Sequence, residues 1–358
     1  MPPTEMDSMF QTLSTYQEHN PGAPIVFKRS WGKPNMRIQV FGQEFYVHSL
    51  VMQNRAEYFK VFIDAADQDP AARPSLGEDI QYDYVSVVDP DGQWGLEPAR
   101  KISRTPITRL RSEEDERTEQ EAVYCMISAI YGNLYEIADL NVFRRLTALA
   151  DFYRATTVVS SSVDSCFHGS LAILEGVHLS SPCVIANAKK LQCPILFKEA
   201  YAFAVGSWGA GMRGMWESSD AYDREVVDLV EQGYIKLLEM KNNANEAIIH
   251  ACYGPRTPMA VFELISGCGI NRANDGMDVN FYRELIAKLC TFNPVKEADR
   301  YNEAAAMRLT CMKDRVLPLL ADHTLTSDRE IIDDRWDLKT DFLCITVSNE
   351  ELPWNKRS

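Results

Sequence analysis

Residues 36–51 set the architecture of this chain: Met36-Arg37-Ile38-Gln39-Val40-Phe41-Gly42-Gln43-Glu44-Phe45-Tyr46-Val47-His48-Ser49-Leu50-Val51. Apolar and polar residues alternate before Phe41 and again after Glu44, which is the period of a strand with one buried face. Gly42-Gln43 suits a two-residue hairpin turn whose first residue needs a positive φ. The stretch therefore predicts a β-hairpin that leads directly into a helix.

Helical patterns dominate the sequence beyond this hairpin. One or two short helices are predicted over 49–65, a strong helix over the apolar positions 123–131 with Ser112 or Thr118 as its cap, and another that begins after Asp139. Further helices are predicted at about 158–174 and near 244–252, 258–266, 279–291 and 297–320. Three more are predicted to begin at Ser181-Pro182, at Cys193-Pro194 and at Asp223. The additional strand candidates are Ile25–Phe27, Tyr82–Val88 and Phe342–Val347.

These patterns predict an α+β protein of two domains. The chain has 358 residues, enough for two hydrophobic cores. Residues 1–23 are polar and proline-containing and indicate a flexible tail. A first domain is expected over 24–170, with a proline-rich loop insertion at about 66–118, and a mostly helical domain over 171–358.

Charge and composition restrict the class of partner. Lys and Arg number 37 and Asp and Glu 51, so the formal charge is 37 − 51 = −14, which disfavours nucleic acid as a partner. The sequence has no secretory apolar segment at its start and no apolar run of membrane-spanning length, so no membrane partner is expected. Nine cysteines without a C-x-x-C pair favour a reduced compartment. The expected location is intracellular, in the cytoplasm, the nucleus or both.

Four motifs, in order along the chain, resemble the BTB/POZ family. The first is the hairpin with Phe45-Tyr46-Val47-His48 and the apolar pair after Ser49, and the second is Arg55-Ala56-Glu57-Tyr58-Phe59. The others are Ile130-Tyr131-Gly132 and Leu149-Ala150-Asp151-Phe152-Tyr153. Leu196–Ala200 with Val205–Trp208, and the terminal segments Cys344–Val347 and Glu351–Trp354, are similar to BTB proteins of filamentous fungi.

The resemblance implies a BTB/POZ domain, a short β-hairpin and strand with clustered helices, followed by a mostly α-helical region. It also implies a role in protein–protein interaction and a symmetric homodimer formed through the first helix and the nearby strand. The residues expected at this dimer interface are Met36, Leu50, Val51 and Met52.

The sequence departs from the family at two functional positions. Repressor-type BTB domains carry Asp at the start of the first strand and a basic residue after the signature His, whereas this chain has Asn35 and Ser49. Cullin-binding adaptors carry a hydrophobic-x-Glu motif after the second helix, whereas this chain has Asp67-Gln68-Asp69. The missing hydrophobic residue favours a partner other than a cullin.

No pattern indicates a catalytic, cofactor or metal site. Gly209-Ala210-Gly211-Met212-Arg213-Gly214 matches G-x-G-x-x-G, but a helix and not a strand is predicted before it, so an interhelical loop is favoured over a nucleotide site. His48 is expected to have a structural role where the strand meets the helix. Cys166 and His168 have no second Cys or His pair at ligand spacing.

One basic run lies inside the expected insertion. Its members, together with the hydroxyl residues between them, are Arg100, Lys101, Ser103, Arg104, Thr105, Arg109 and Arg111. A solvated loop is the simpler interpretation. The alternatives are a weak nuclear-import patch or a regulatory loop, in which phosphate on Ser103 or Thr105 would pair with the arginines.

The sequence thus favours a non-enzymatic interaction module, a scaffold or a regulatory partner that forms a homodimer and binds an unknown protein. The alternatives are a substrate adaptor of a cullin-RING ubiquitin ligase and an enzyme of unrecognised class, because a fold alone does not define a function.

Overall fold

The computed structural model describes residues 22–67, 79–99, 110, 112–166, 176–177, 180–208, 214, 216, 223–253, 259–268, 279–291, 303–320 and 343–355. The fold is α+β and contains a small mixed sheet. The chain divides into two compact units: Met1–Gly176 with Asn187–Cys193, and Val177–Ala186 with Pro194–Ser358. The domain boundary expected from the sequence lies after residue 170, and the expected flexible tail over 1–23 lies almost entirely outside the described residues.

Five strands form the sheet of the first unit, in the order β1-β3-β2-β4-β5. They are β1 (Ile25–Val26), β2 (Met36–Val40), β3 (Gln43–Val47), β4 (Tyr82–Val88) and β5 (Trp94–Pro98). β2 and β3 form an antiparallel hairpin with alternate residues buried, and β4 runs parallel to β2 with Met36 opposite Tyr82. The predicted hairpin and the predicted strand Tyr82–Val88 are confirmed.

The hairpin turn lies one residue earlier than predicted. Val40 pairs with Gln43, so the loop residues are Phe41 and Gly42, both with positive φ (47° and 91°). This is the geometry of a type I′ turn, which matches the twist of the flanking strands. Gln43 is therefore the first residue of β3, and its buried side-chain amide donates to Ala23 O at 2.7 Å.

Surrounding groups hold Phe41 in this unusual conformation. Its N–H donates to Ser86 Oγ at 2.9 Å, and its carbonyl accepts from Gln120 Nε2 at 2.9 Å. Its ring packs edge-on against Trp94, with 5.3 Å between the ring centres. A bulky residue at positive φ persists when neighbouring contacts over-determine it, as they do here.

The segment 66–118 contributes more to the sheet than an insertion of loops around one strand. It supplies β4, and it also supplies β5, which pairs antiparallel with β4 at the edge of the sheet. It also contains the start of α3 (Glu113–Tyr131), whose N-cap is Ser112 and not Thr118. The Ser112 hydroxyl accepts from Asp115 N at 3.0 Å.

Among the described residues before Gly176, the first unit also contains the helices α1 (Ser49–Arg55), α2 (Glu57–Asp67), α4 (Leu140–Phe152) and α5 (Thr156–Cys166). α3 is the central helix, because every residue from 121 to 131 is buried. Asp139 caps α4 as predicted, and its carboxylate accepts from Asn141 N and Val142 N at 2.7 and 2.9 Å.

The remaining α-helices are α6 (Ser181–Lys190), α7 (Pro194–Ser207), α8 (Arg224–Tyr253), α9 (Met259–Ser266), α10 (Val279–Thr291) and α11 (Glu303–Val316). α6 begins in the second unit and ends in the first, and the others belong to the second. Two separate helices were predicted after Asp223 and near 244–252, but the structure has one helix of 30 residues. Ala244 and Ile248 of this helix are buried, and the Tyr282 hydroxyl donates to Asn245 Oδ1 at 2.6 Å. These contacts stabilise the helix across a stretch rich in asparagine, where the sequence predicted a break.

The late strand prediction was wrong for the part of Phe342–Val347 that the structure describes. Residues 343–348 have no strand pairing, and a short 3₁₀ turn (Asn349–Glu351) follows. Lys236 Nζ donates to Glu351 Oε1 at 2.8 Å, which lowers the pKa of that carboxyl to about 2. Trp354 packs edge-on against Phe197 with 5.2 Å between ring centres. The terminal segment is therefore anchored on α7 and α8.

Candidate functional site

His48 closes the corner where β3 ends and α1 begins. Its backbone N–H donates to Tyr131 Oη at 2.6 Å, its Nδ1 lies 2.9 Å from the same oxygen, and its Nε2 lies 3.1 Å from Gly32 O. One tautomer satisfies all three contacts: Nε2–H donates to Gly32 O, and Tyr131 O–H donates to Nδ1. His48 is only 2% exposed, so its contacts are those of a structural residue, as the sequence predicted.

Tyr131 is the central member of this corner. Burial raises the pKa of its phenol to about 12, so the hydroxyl keeps its proton for His48. The Arg29 guanidinium donates to the backbone carbonyl of Tyr131 and also lies over the ring, 5.0 Å from its centre. Trp31 lies on the outer side of His48, with 4.9 Å between ring centres. The corner therefore fixes the start of α1 and presents Trp31, which is 60% exposed, beside it.

Asn35 and Ser49, the two positions that depart from the charged pair of repressor-type BTB domains, bond to each other. Asn35 Nδ2 donates to Ser49 Oγ at 2.9 Å, and Ser49 N–H donates to Asn35 Oδ1 at 2.8 Å. Asn35 Nδ2 also lies 3.0 Å from Gln81 Oε1. Uncharged hydrogen bonds thus connect the residue before β2, the first residue of α1 and the residue before β4.

The residues expected at a dimer interface divide into two groups. Leu50 is 53% exposed and Val51 is half-buried, so both reach the surface of α1. Met36 and Met52 are fully buried in the core of the first unit. Of these four residues, Leu50 and Val51 can therefore contact a partner directly, whereas Met36 and Met52 cannot. We call Trp31, Leu50 and Val51 the α1 surface.

An ionic network covers the strands on the other face of the sheet. Arg37 donates two hydrogen bonds to Asp83, at 2.8 and 3.0 Å, and a third to Glu44 at 2.7 Å. The hydrogen bond to Asp83 is the main reason why the pKa of Arg37 is raised. These three side chains are 8–22% exposed, so the network is partly buried. It connects the neighbouring strands β3, β2 and β4.

A cleft that the sequence analysis missed lies beside the β4–β5 turn. Its floor contains Glu119, whose Oε1 lies 2.5 Å from Arg145 Nε. Burial raises the pKa of Glu119, and Arg145 opposes this rise. The Trp94 indole also faces the carboxyl and opposes the rise, although it forms no well-aligned hydrogen bond with it. The sequence signal available for this site was an acidic residue on the side of an amphipathic helix that faces the protein interior.

The basic run of the sequence lies outside the described residues. This applies to Arg100, Lys101, Ser103, Arg104, Thr105, Arg109 and Arg111, and also to Gln68 and Asp69 of the cullin-motif position. Residues 209–213 of the glycine-rich motif also lie outside, and helix α7 precedes them as predicted. Among the described residues, no three potential metal ligands of the His, Cys, Asp and Glu types come together.

No protein-family model matches this chain, no curated protein matches its sequence, and no solved structure matches its fold. Within the described ranges, none of the helices combines the length and the apolar character needed to cross a bilayer.

Proposed function

We propose that this chain is a non-enzymatic protein–protein interaction module, located in the cytoplasm or nucleus, whose first unit is a BTB/POZ-like domain that self-associates. The order of elements supports the proposal. A tight hairpin is followed by the short helices α1 and α2, β4 then runs parallel to β2, and α3, α4 and α5 follow. This is the order in which the family motifs occur in the sequence.

The α1 surface is the observation that carries the proposal. Leu50 and Trp31 expose more than half of their area, and both are positioned by the buried corner of His48 and Tyr131. When a partner covers a large, rigidly held apolar side chain, the apolar surface is removed from water, and this lowers the free energy of the complex. In a two-fold dimer, the same surface of the second copy would supply this cover.

A co-precipitation of two differently tagged full-length copies tests the proposal. We expect the wild-type copies to associate and Leu50→Asp to weaken the association by at least about tenfold, because a charge would be buried without a partner. Val61→Asp is the matched control, since Val61 is 69% exposed on α2 and is not one of the residues of the α1 surface. Failure of the wild-type copies to associate, or equal weakening by both variants, would contradict the proposal.

A further inference from the structure

A groove lies between the long helix α8 and helix α11, within the second unit. Its volume is about 540 Å³, and its described lining residues fall within 243–250 of α8 and 307–315 of α11. At a rise of about 1.5 Å per residue, these spans extend roughly two helical turns along each helix. The described lining residues include none of the α1 surface, so the groove is separate from the site proposed for self-association.

The groove is open to solvent along its length. Met307 is 76% exposed, and His250, Cys311 and Arg315 are exposed as well. A site for a small molecule buries most of the surface of its ligand, which walls as exposed as these do not achieve. The shape therefore fits a longer occupant that lies along the two helices, as an amphipathic helix of a partner does.

The walls of the groove offer apolar surface to such an occupant. Ala247 comes from α8, and Met307 and Cys311 follow each other by one turn on α11. A methionine side chain is flexible and polarizable, so it adapts to the side chains of a partner. Covering Met307 would remove apolar surface from water, which favours the complex.

Charge selects the kind of helix that fits. Arg308, Arg315 and His250 line the groove, whereas Glu246 is the one carboxylate among its described lining residues. The groove is thus a local excess of positive charge in a chain whose formal charge is −14. Opposite charge on a partner steers its approach and disfavours partners of the same sign. The complementary occupant is therefore acidic.

We propose that the groove between α8 and α11 binds an acidic amphipathic helix of a partner protein. The apolar face of that helix lies on Met307 and Ala247, and its flanking carboxylates face Arg308 and Arg315. This interaction goes beyond the proposed self-association and does not depend on it, because the two surfaces share no described residue.

Fluorescence anisotropy with the full-length chain tests the proposal. The probe is a fluorescein-labelled peptide, blocked at both ends, with leucines at i, i+3, i+4 and i+7 and glutamates on both flanks of this leucine face. One comparison peptide carries glutamine in place of every glutamate, and another carries serine in place of every leucine. We expect saturable binding of the probe and at least about tenfold weaker binding of both comparison peptides, since each lacks one of the two complementary features.

Two exposed cysteines report where the peptide binds. Cys311 lines the groove, whereas Cys290 is exposed on α10 and is not among the lining residues. The rate of thiol alkylation depends on access to the sulfur. Saturating probe peptide should therefore slow the alkylation of Cys311 by N-ethylmaleimide and leave that of Cys290 unchanged, as measured by mass spectrometry of the digested wild-type chain.

Matched variants separate this groove from the rest of the surface. Met307→Glu places a like charge on the apolar wall and should weaken binding of the probe by at least about tenfold. Met259→Glu is the control, because Met259 is 70% exposed on α9 and does not line the groove. It should leave the affinity within about twofold. Both methionines are exposed, so both variants should fold, and circular dichroism checks this.

A second pair of variants tests the charge. Arg315→Glu reverses a charge in the groove, and Lys313→Glu makes the same change at a position of α11 that does not line it. We expect Arg315→Glu to weaken binding by about tenfold and Lys313→Glu by no more than about twofold at physiological salt. Leu50→Asp, which targets self-association, should leave binding of the peptide unchanged.

Five results would overturn the proposal. Absence of saturation up to millimolar probe would leave no docking site, and equal affinity for either comparison peptide would show that charge or apolar surface is not recognised. Equal losses within either pair of variants would assign the binding to the surface as a whole. Unchanged alkylation of Cys311 would place the peptide elsewhere. Protection of Cys311 by anionic phospholipid vesicles but not by the peptide would assign the groove to a membrane surface.

Discussion

Replacing Tyr131 by phenylalanine removes a single oxygen atom from the corner between β3 and α1. That oxygen accepts from His48 N–H at 2.6 Å and bonds to His48 Nδ1 at 2.9 Å. Tyr131 and His48 are only 2–3% exposed, so water cannot replace the lost partner. An unsatisfied buried amide costs about 1–3 kcal/mol, and loss of the second hydrogen bond costs about 1 kcal/mol. We therefore expect the substitution to lower the opening free energy of this region by roughly 2–4 kcal/mol.

Hydrogen exchange measured by mass spectrometry is the suitable assay, because the chain has two units and its global unfolding need not be two-state. Opening free energies are compared for peptides that cover residues 43–56 and 113–131. Tyr135→Phe is the matched control: its hydroxyl bonds to Ser162 Oγ at 3.0 Å, and Ser162 also donates to the backbone carbonyl of Val159 at 3.1 Å. We expect this control to cost about 1 kcal/mol. Equal losses in the two variants, or a loss below about 0.5 kcal/mol in Tyr131→Phe, would refute the role assigned to this corner.

Three other predictions use the same first unit. Asp83→Asn removes the bidentate charge partner of Arg37 and should lower the free energy of unfolding, measured with urea, by about 1–3 kcal/mol. Asp79→Asn, in an exposed ion pair, should lower it by less than about 0.5 kcal/mol. Burial raises the pKa of Glu119 in the folded state, so the folded chain holds this proton to higher pH than the unfolded chain does. The stability that this group contributes should therefore fall as pH rises from the ordinary glutamate pKa through the raised one, and Glu119→Gln should flatten that part of the pH–stability curve. Asp139→Ala removes two cap hydrogen bonds and should cost about 1 kcal/mol by thermal unfolding, with Asn141→Ala as the exposed neutral comparison.

Local signals in the sequence were sufficient for much of the fold. The alternation in Met36–Val40 and the aromatic and β-branched residues of Tyr82–Val88 each defined a strand with the bounds that the structure has. Asp139 and Pro194 marked helix starts because a cap or a first-turn proline acts through its immediate neighbours. These features depend on few residues beyond their own segment.

Features that depend on distant partners were missed or misplaced. β5 contains Gly95 and Pro98, which are poor strand formers, and it exists because β4 offers an edge to pair with. The turn lies at Phe41-Gly42 because Ser86, Trp94 and Gln120, all remote in sequence, hold Phe41 in place. Tertiary packing decided both features over local propensity.

The candidate sites were predictable to different degrees. Leu50 and Val51 were expected at a dimer interface because the family resemblance implies self-association through the first helix, and the structure places both at the surface of α1. Met36 and Met52 were assigned to the same surface, yet helical and strand periodicity place them inward, where they are fully buried. The cleft around Glu119 was not foreseen, because it is assembled from a turn and two helices that are separated along the chain.

The mass of the full-length chain in solution tests the central claim, self-association through the first unit, most directly. Light scattering coupled to size exclusion at tens of micromolar should give twice the chain mass of 40.6 kDa. The Leu50→Asp variant measured at the same concentration should give the mass of a single chain. A wild-type mass of 40.6 kDa at every concentration tested would contradict the account.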